Sequence, residues 1–126
     1  MIELEEKIKF YEDLYLIRKT EEEIEYLFSQ GLLRGTSHGS IGQEAIAVGI
    51  LNNINIKIDY VTGNHRSHGH YLAIFKDPLS LILELVGRKG GILDGRGGSQ
   101  HLKRENFITN GITGGMVPIA VGLANA

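Results

Sequence analysis

The 126-residue sequence contains no cysteine, which excludes a disulfide framework and any metal site built on cysteine ligands. Only two residues are proline, so proline-rich linkers are excluded as well. A chain without cysteine fits a reducing compartment, and we therefore expect it in the cytoplasm.

An excess of positive charge and a long hydrophobic run are also missing. The chain has 13 Lys+Arg against 15 Asp+Glu, a net charge of −2, so it lacks the basic surplus that neutralises nucleic-acid phosphates. No apolar run reaches the roughly 18 residues of a membrane span, and segment 1–9 lacks the apolar core of a secretory signal. We expect neither nucleic acid nor a membrane as a partner, and a single globular domain.

Glycine and the distribution of charge stand out among the features that are present. Glycine supplies 17 of the 126 residues, against a usual share of about 7%, and six of these glycines lie within 87–98. Residues 1–25 contain nine acidic and four basic side chains, whereas the rest of the chain contains six acidic and nine basic ones and all five histidines. The first segment therefore suggests a solvated outer helix, and the second suggests a region that binds anions.

Hydrophobic periodicity predicts an α/β chain that is mostly helical with few short strands. Residues 3–29 form the first predicted helix, with Glu21, Glu22, Glu23 and Glu25 facing water. The other predicted elements are helices from residue 40 or 42 to 52, over 65–75, over 79–86 after Pro78 and from about 116, with strands at 59–62 and 107–109. The last helix is apolar nearly all round and should be buried, so we expect the chain to be part of a larger fold.

The densest cluster of functional side chains spans His65 to His70 and includes Arg66. A metal site is one interpretation, although the histidine spacing suits a single helix face poorly. Histidines that cap turns and bond to the backbone are a second. We favour a third, an anion site in which Arg66 and the flanking imidazoles lie just after a strand-to-helix turn.

Three other motifs are unspecific when taken singly. The stretch from Gly95 to His101 matches neither a P-loop nor a dinucleotide-binding fingerprint, and such glycines often serve only in turns. Before the second helix, Ser40 is a predicted N-cap with Glu44 in the first turn, but nothing local requires His38. The segment 110–115 is a turn with exposed backbone donors and acceptors.

Together and in this order, the motifs resemble the N-terminal part of the α-subunit of thiamine-diphosphate-dependent 2-oxo acid dehydrogenase E1 components. The residues that carry the resemblance are Arg34-Gly35 with His38, Gly42-Gln43-Glu44-Ala45, His65-Arg66-Ser67-His68-Gly69-His70, Gly87-Arg88-Lys89-Gly90-Gly91, Gly95-Arg96-Gly97-Gly98-Ser99-Gln100-His101 and Asn110-Gly111-Ile112-Thr113-Gly114. The resemblance covers essentially the whole chain and is nearer to the pyruvate and acetoin branch than to the branched-chain one.

The resemblance implies an incomplete N-terminal portion of a thiamine-diphosphate-binding fold, with a leading helix in 1–30 and a partial cofactor-binding region in 31–126. It implies that His38 and His65 are catalytic and that they bind the cofactor together with Arg66, Gly111 and Thr113. The implied partners are an E1β-like subunit, the C-terminal half of E1α and lipoyl-E2, with a 2-oxo acid or acetoin as substrate. The family works as an α2β2 assembly with the cofactor at the α–β interface.

The departures from the family pattern concern the metal and the completeness of the chain. The family's Gly-Asp-Gly motif and downstream Asn, which hold Mg²⁺ on the diphosphate, are not in this sequence. We therefore expect no metal ligand here, and a chain that is inactive alone because it is a truncated product or half of a split subunit. The alternatives are a non-catalytic fragment that only pairs with partner subunits and a histidine-cluster metal protein.

Overall fold

The computed structural model describes residues 3–126 and contains five helices and three short strands in that range. In chain order the elements are α1 (Leu4–Ser29), α2 (Glu44–Leu51), β1 (Val61–Gly63), α3 (His68–Phe75), α4 (Pro78–Leu85), β2 (Lys103–Arg104), β3 (Phe107–Thr109) and α5 (Met116–Asn125). The expected α/β class with few short strands is confirmed. Residues 1 and 2 of the expected leading segment 1–30 lie outside the described residues.

The helices begin and end close to the predicted positions, but some local details differ. The α1 bounds agree with the prediction, while α2 and α3 begin two to four residues later because turns precede them. Pro78 stands in the first turn of α4, and Asp77 caps that helix by accepting the Ser80 N–H at 3.1 Å. The predicted N-cap at Ser40 is wrong, because Gln43 holds that position and the Ser40 hydroxyl bonds elsewhere.

The sheet has the order β1-β3-β2, with β1 parallel and β2 antiparallel to β3. The strand predicted at 59–62 lies at Val61–Gly63, and β2 was not predicted because two residues, Lys103 and Arg104, offer no alternating pattern. Helices α1, α2 and α3 pack on one another. The buried core joins them to α4 and the sheet through Ile17, Ile24, Ala47, Val48, Leu51, Val61, Tyr71, Leu72, Ala73, Leu81, Leu85, Leu102 and Phe107.

An aromatic cluster fastens the β2–β3 hairpin to α3. The Tyr71 ring lies 5.0 Å from that of Phe75 and 6.0 Å from that of Phe107, centroid to centroid. Arg104 donates to the Tyr71 hydroxyl at 2.9 Å and to Asp77 at 2.8 Å, and its guanidinium lies 4.6 Å from the Phe75 ring centroid. This packing fixes the strand ends relative to the helices.

The final helix α5, which we expect to need further polypeptide for its burial, is largely exposed within the described residues. Of its residues only Met116 is buried, whereas Val117 and Val121 are 65% and 66% exposed. Its apolar surface thus lacks a cover within residues 3–126, the part of the chain described. No helix in this range is long and apolar enough to cross a membrane.

Candidate functional site

The site lies where two parallel strands end. Val61 pairs with Phe107 and Gly63 with Thr109, so β1 and β3 release the chain at the same edge of the sheet. The Asn110 N–H extends this pairing by donating to the Gly63 carbonyl at 3.3 Å. Ligands of α/β proteins bind at the carboxyl ends of parallel strands. The two segments at this edge, 64–66 and 110–113, contain four of the five predicted site residues.

A tight turn after β1 presents His65 and Arg66. The Asn64 side-chain oxygen accepts the Arg66 N–H at 2.9 Å, which closes an Asx turn. A side chain at Gly63 would overlap Ser67, so the glycine lets this turn fold back closely on itself. Arg66 is exposed and His65 is half-buried as a result.

The irregular segment 30–43, here called the His38 loop, meets this turn. The rings of His38 and His65 are 4.8 Å apart between centroids and lie edge to face at 71°. Arg66 Nη1 donates to the carbonyl of Gly39 at 2.9 Å. The structure therefore brings His38, His65 and Arg66 together, although His38 is distant from the other two in sequence.

Gly111 joins the group through Gln100, whereas Thr113 does not. The Gln100 side chain occupies the space that a Cβ at Gly111 would fill, and its Nε2 donates to Thr36 Oγ1 at 3.0 Å. Gly111 is thus tied to the His38 loop. Thr113 is exposed, and no hydrogen bond within the described chain links its side chain to the other predicted residues.

Two open clefts lie near the site, one beside Arg66 and the other beside the turn after β1. One of about 380 Å³ lies between α1 and the His38 loop, and its walls include Glu25, Phe28, Ser37 and Arg66. The other, of about 390 Å³, lies at the strand ends between the 62–64 segment and the apolar surface of α5. Of the grouped side chains, Arg66 therefore has open space beside it for a ligand.

A buried ionisable network behind the site was not predicted. Glu21 is 1% exposed and His68 0% exposed, with His68 Nδ1 lying 3.2 Å from Glu21 Oε1. The same oxygen accepts the Ser40 hydroxyl at 2.7 Å and the Ser40 N–H at 3.2 Å. The prediction that Glu21 faces water is wrong. Its spacing of four from Ile17 and three from Ile24 places it on the apolar face, and that spacing was the available signal.

The pKa of Glu21 is lowered by its partners despite burial. Burial alone would raise the pKa, and it is the largest single influence. The hydrogen bond and charge of His68, together with the two bonds from Ser40, outweigh it and favour the carboxylate. The network thus keeps the Glu21 carboxylate charged in the core, surrounded by the Ser40 hydroxyl, the Ser40 N–H and His68 Nδ1.

The remaining histidine of the cluster, His70, occupies a third environment. Its Nδ1 is buried and has no hydrogen-bond partner, and burial lowers the pKa of the ring. Within residues 3–126, no three His, Cys, Asp or Glu side chains group as metal ligands would. The metal-site interpretation of the cluster therefore gains no support from the geometry.

The glycine-rich segment 87–98 encloses a carboxylate of the chain itself. Glu84 is fully buried and accepts the N–H groups of Leu93 and Gly97 at 2.6 Å, of Gly95 at 2.9 Å and of Gly98 at 3.2 Å. Converging backbone amides of this kind bind anions. Here the anion is Glu84, so these four amides are occupied and do not hold an external phosphate.

Comparison with known proteins gives a family match over most of the chain. Residues 12–126 match the family model described as "Dehydrogenase E1 component". The chain belongs to the dehydrogenase E1 component family. It is 42% identical over 125 residues to a pyruvate dehydrogenase E1 component subunit alpha of Zymomonas mobilis, covering 97% of this chain and 35% of the relative.

Two eukaryotic pyruvate dehydrogenase E1 alpha subunits are similar to this E1 chain to nearly the same degree. The mitochondrial pyruvate dehydrogenase E1 subunit alpha of Saccharomyces cerevisiae is 40% identical over 120 residues, covering 94% of this chain and 28% of the relative. The testis-specific mitochondrial form of Rattus norvegicus is 39% identical over 123 residues, covering 97% of this chain and 31% of the relative. The chain spans about a third of the length of these relatives.

The E1 family implies the use of thiamine diphosphate, and the donor set at the strand ends fits its anionic part. Arg66 supplies an exposed guanidinium, and His38 and His65 supply two half-buried imidazoles in contact with each other. Guanidinium groups bind diphosphate oxygens strongly. The described residues offer no grouped set of ligands for the accompanying Mg²⁺.

Proposed function

We propose that this chain is the N-terminal part of an E1α subunit and contributes to the thiamine-diphosphate-dependent decarboxylation of a pyruvate-type 2-oxo acid, or the cleavage of acetoin. The acyl group would then pass to lipoyl-E2. The observation that carries the proposal is the convergence of His38, His65 and Arg66 beside two parallel strand ends in an E1 chain.

The roles follow from the chemistry of each group. When bound, thiamine diphosphate supplies the nucleophilic carbon and the electron sink that decarboxylation needs. Arg66 would bind and neutralise the diphosphate, and its bond to Gly39 holds the His38 loop beside the site. His38 and His65, in ring contact, would hold or donate protons near the substrate. The backbone at Gly111 and Thr113 would support the aminopyrimidine ring.

The remaining parts of the enzyme would come from other polypeptide. Strand β1 is an edge of the described sheet, and α5 beside it exposes Val117, Ile119 and Val121. We propose that the C-terminal portion of E1α covers this surface and supplies the Mg²⁺ ligands, and that an E1β-like subunit completes the cofactor site. Location in the cytoplasm is part of the same proposal.

Reconstitution tests the proposal and separates the roles. The chain is mixed with the C-terminal portion of an E1α and its β subunit, and turnover of pyruvate and of acetoin is measured with lipoamide. Arg66→Ala should raise the thiamine diphosphate concentration needed for half-maximal activity about tenfold or more, because a charge-assisted contact is lost. His38→Ala should lower kcat about 100-fold or more, the usual contribution of a proton-transfer group.

Lys57→Ala is the matched control, because Lys57 is exposed and lies away from the strand ends. Unchanged turnover in both site variants would overturn the role assignment. The alternative function, a non-catalytic fragment that pairs with subunits, predicts a stable complex with no calorimetric response to thiamine diphosphate plus Mg²⁺.

A further inference from the structure

The orientation of His38 depends on contacts outside its own segment. The His38 loop has no helix or strand, so its backbone does not hold the imidazole by regular hydrogen bonding. Contacts with distant parts of the chain flank His38. Thr36 accepts from Gln100 on one side, and on the other Gly39 accepts from Arg66 and Ser40 donates to Glu21.

The contact with Glu21 is the most buried of these. Ser40 is 3% exposed and Glu21 1% exposed, and a single carboxylate oxygen accepts both the Ser40 hydroxyl and the Ser40 N–H. Charge-assisted hydrogen bonds in a low-dielectric interior are stronger than those at a surface. This bond therefore fixes the backbone two residues after His38.

Glu21 is itself held from behind. His68 Nδ1 donates to the carboxylate, while His68 Nε2 lies 3.1 Å from the carbonyl and 2.9 Å from the hydroxyl of Ser99. The carboxylate thus has its position set by α1, on which it stands, and by α3. Helix α3 packs closely against Ser40, because a Cβ at Gly69 would lie only 3.0 Å from Ser40 Oγ.

The order Ser99, His68, Glu21 has the connectivity of a nucleophilic triad, but its surroundings differ from those of one. The three residues are 6%, 0% and 1% exposed, so a substrate cannot reach the imidazole. A catalytic base must lie within reach of the proton that it takes. The arrangement is a clamp inside the protein.

We propose that Glu21 is a positioning residue that sets His38 against His65 through Ser40. It touches no reacting group and acts through the His38 loop. Its importance for turnover rests on the proposed function of this site, whereas its effect on the geometry of the two rings does not. The network therefore links a buried charge on the first helix to the mouth of the site.

Nuclear magnetic resonance of the chain, with labelled histidine, tests the geometry directly. The unsubstituted chain should show a cross-relaxation signal between the His38 and His65 rings, since these lie 4.8 Å apart. Glu21→Gln and Ser40→Ala should each reduce this signal at least threefold. The double variant should lose little more than the weaker-signal single variant, because both substitutions weaken the same link: Ser40→Ala removes the hydroxyl bond and leaves the N–H bond.

Glu23→Gln is the matched control, an exposed glutamate of the same helix, and it should leave the signal unchanged. Ser40→Ala keeps the test decisive if Glu21→Gln fails to fold, which circular dichroism reveals. A ring contact that keeps its full strength in the folded variants, or that is missing from the unsubstituted chain, overturns the proposal.

Reconstituted activity then separates this inference from the proposed function. If the site is catalytic, Glu21→Gln should lower kcat while the KM for pyruvate stays within twofold, because His38 is displaced and the substrate contacts are not. An unchanged kcat in an active enzyme overturns the functional part of the inference. Absence of turnover in the unsubstituted assembly overturns the proposed function alone, and the ring contact still decides the role of Glu21.

Discussion

The histidines His65, His68 and His70 lie within six residues and occupy three unlike environments. His65 is half-buried against His38, His68 is fully buried against Glu21, and His70 is half-buried with its Nδ1 buried and unpaired. The turn at 64–66 followed by the start of α3 separates them, because a helix rotates successive residues onto different faces. One motif therefore serves a surface site and two interior positions.

The partial burial of the His70 ring predicts a loss of stability in mild acid. Its folded-state pKa is lowered below 6.5 by burial, so the unfolded chain binds a proton more readily than the folded one. The folded state has its full stability above pH 6.5, where the ring is neutral in both states. It loses stability as the pH falls below 6.5 and through the lower pKa of the folded state. Urea unfolding at pH 7.5 and at 5 should show a smaller pH effect in His70→Gln than in the unsubstituted chain.

His101→Gln provides the comparison for this measurement, because His101 is exposed. It should retain the full pH dependence. Glu21, whose pKa is lowered from 4.5, loses its contribution to stability only below that pH, so it adds little between pH 7.5 and 5 in either variant. An equal pH effect in His70→Gln and the unsubstituted chain would contradict the assignment to His70.

At the scale of elements, helix α1 has one face exposed to solvent and one buried face. The buried face includes charged side chains that are paired with groups on other elements. Asp13 is 6% exposed and pairs with Lys76, whose Nζ lies 2.5 Å away, while Asn52 donates to its other oxygen. Glu21 has Ser40 and His68 in the same manner. Buried charges are tolerated only when paired and hydrogen-bonded, so α1 must dock on α2 and α3 in one register.

The glycine-rich segment depends on small size as well as on backbone freedom. Gly31 and Gly95 both have a positive φ, of 69° and 73°, but a Cβ at Gly31 meets open space whereas one at Gly95 would overlap the backbone of Gly87. Gly31→Ala should cost about 1 kcal/mol of unfolding free energy from strain alone. Gly95→Ala should cost at least about 2 kcal/mol more, because the segment 87–98 must move and its amides must lose hydrogen bonds to Glu84.

Chemical denaturation of the two variants measures that difference. The pair is matched because both substitutions are the same and both backbones are left-handed. Equal losses in the two variants would mean that close packing at Gly95 contributes nothing.

At the scale of the whole molecule, one patch of exposed apolar surface lies at the edge of the sheet, where we propose that further polypeptide docks. Val117, Ile119 and Val121 of α5 lie beside β1, the edge strand of the described sheet. The chain covers about a third of its relatives' length, so two thirds of an E1α subunit has no counterpart here. Apolar patches of this kind mark interaction surfaces.

Val121→Glu should separate folding from assembly. Val121 is 66% exposed, so the change should alter the unfolding free energy of the chain by less than about 0.5 kcal/mol. It should weaken assembly with the C-terminal portion of E1α at least tenfold, since a charge would be buried without a partner. Analytical ultracentrifugation measures assembly, with Lys57→Ala as the control; undiminished assembly of Val121→Glu would place the interface elsewhere.

Much of the local architecture was predictable, and the site was predictable in part. Apolar spacing predicts α1 to within a residue, and Pro78 predicts the start of α4. The position of Ser40 before a helix suggested a cap, but a buried acceptor 19 residues earlier claims its hydroxyl. Capping rules consider only hydrogen-bond partners that are near in sequence. They cannot identify a carboxylate far along the chain that binds the hydroxyl more strongly.

By itself, the sequence determined the helical periods, the turns that require glycine and the family, because these depend on short-range sterics and on residue order. Only the tertiary structure decided that Glu21 and Glu84 are buried, that the amides near Gly97 are already occupied, and that His38 meets His65. The reason is physical: burial and hydrogen-bond partnership belong to groups far apart along the chain, and only folding sets their distances.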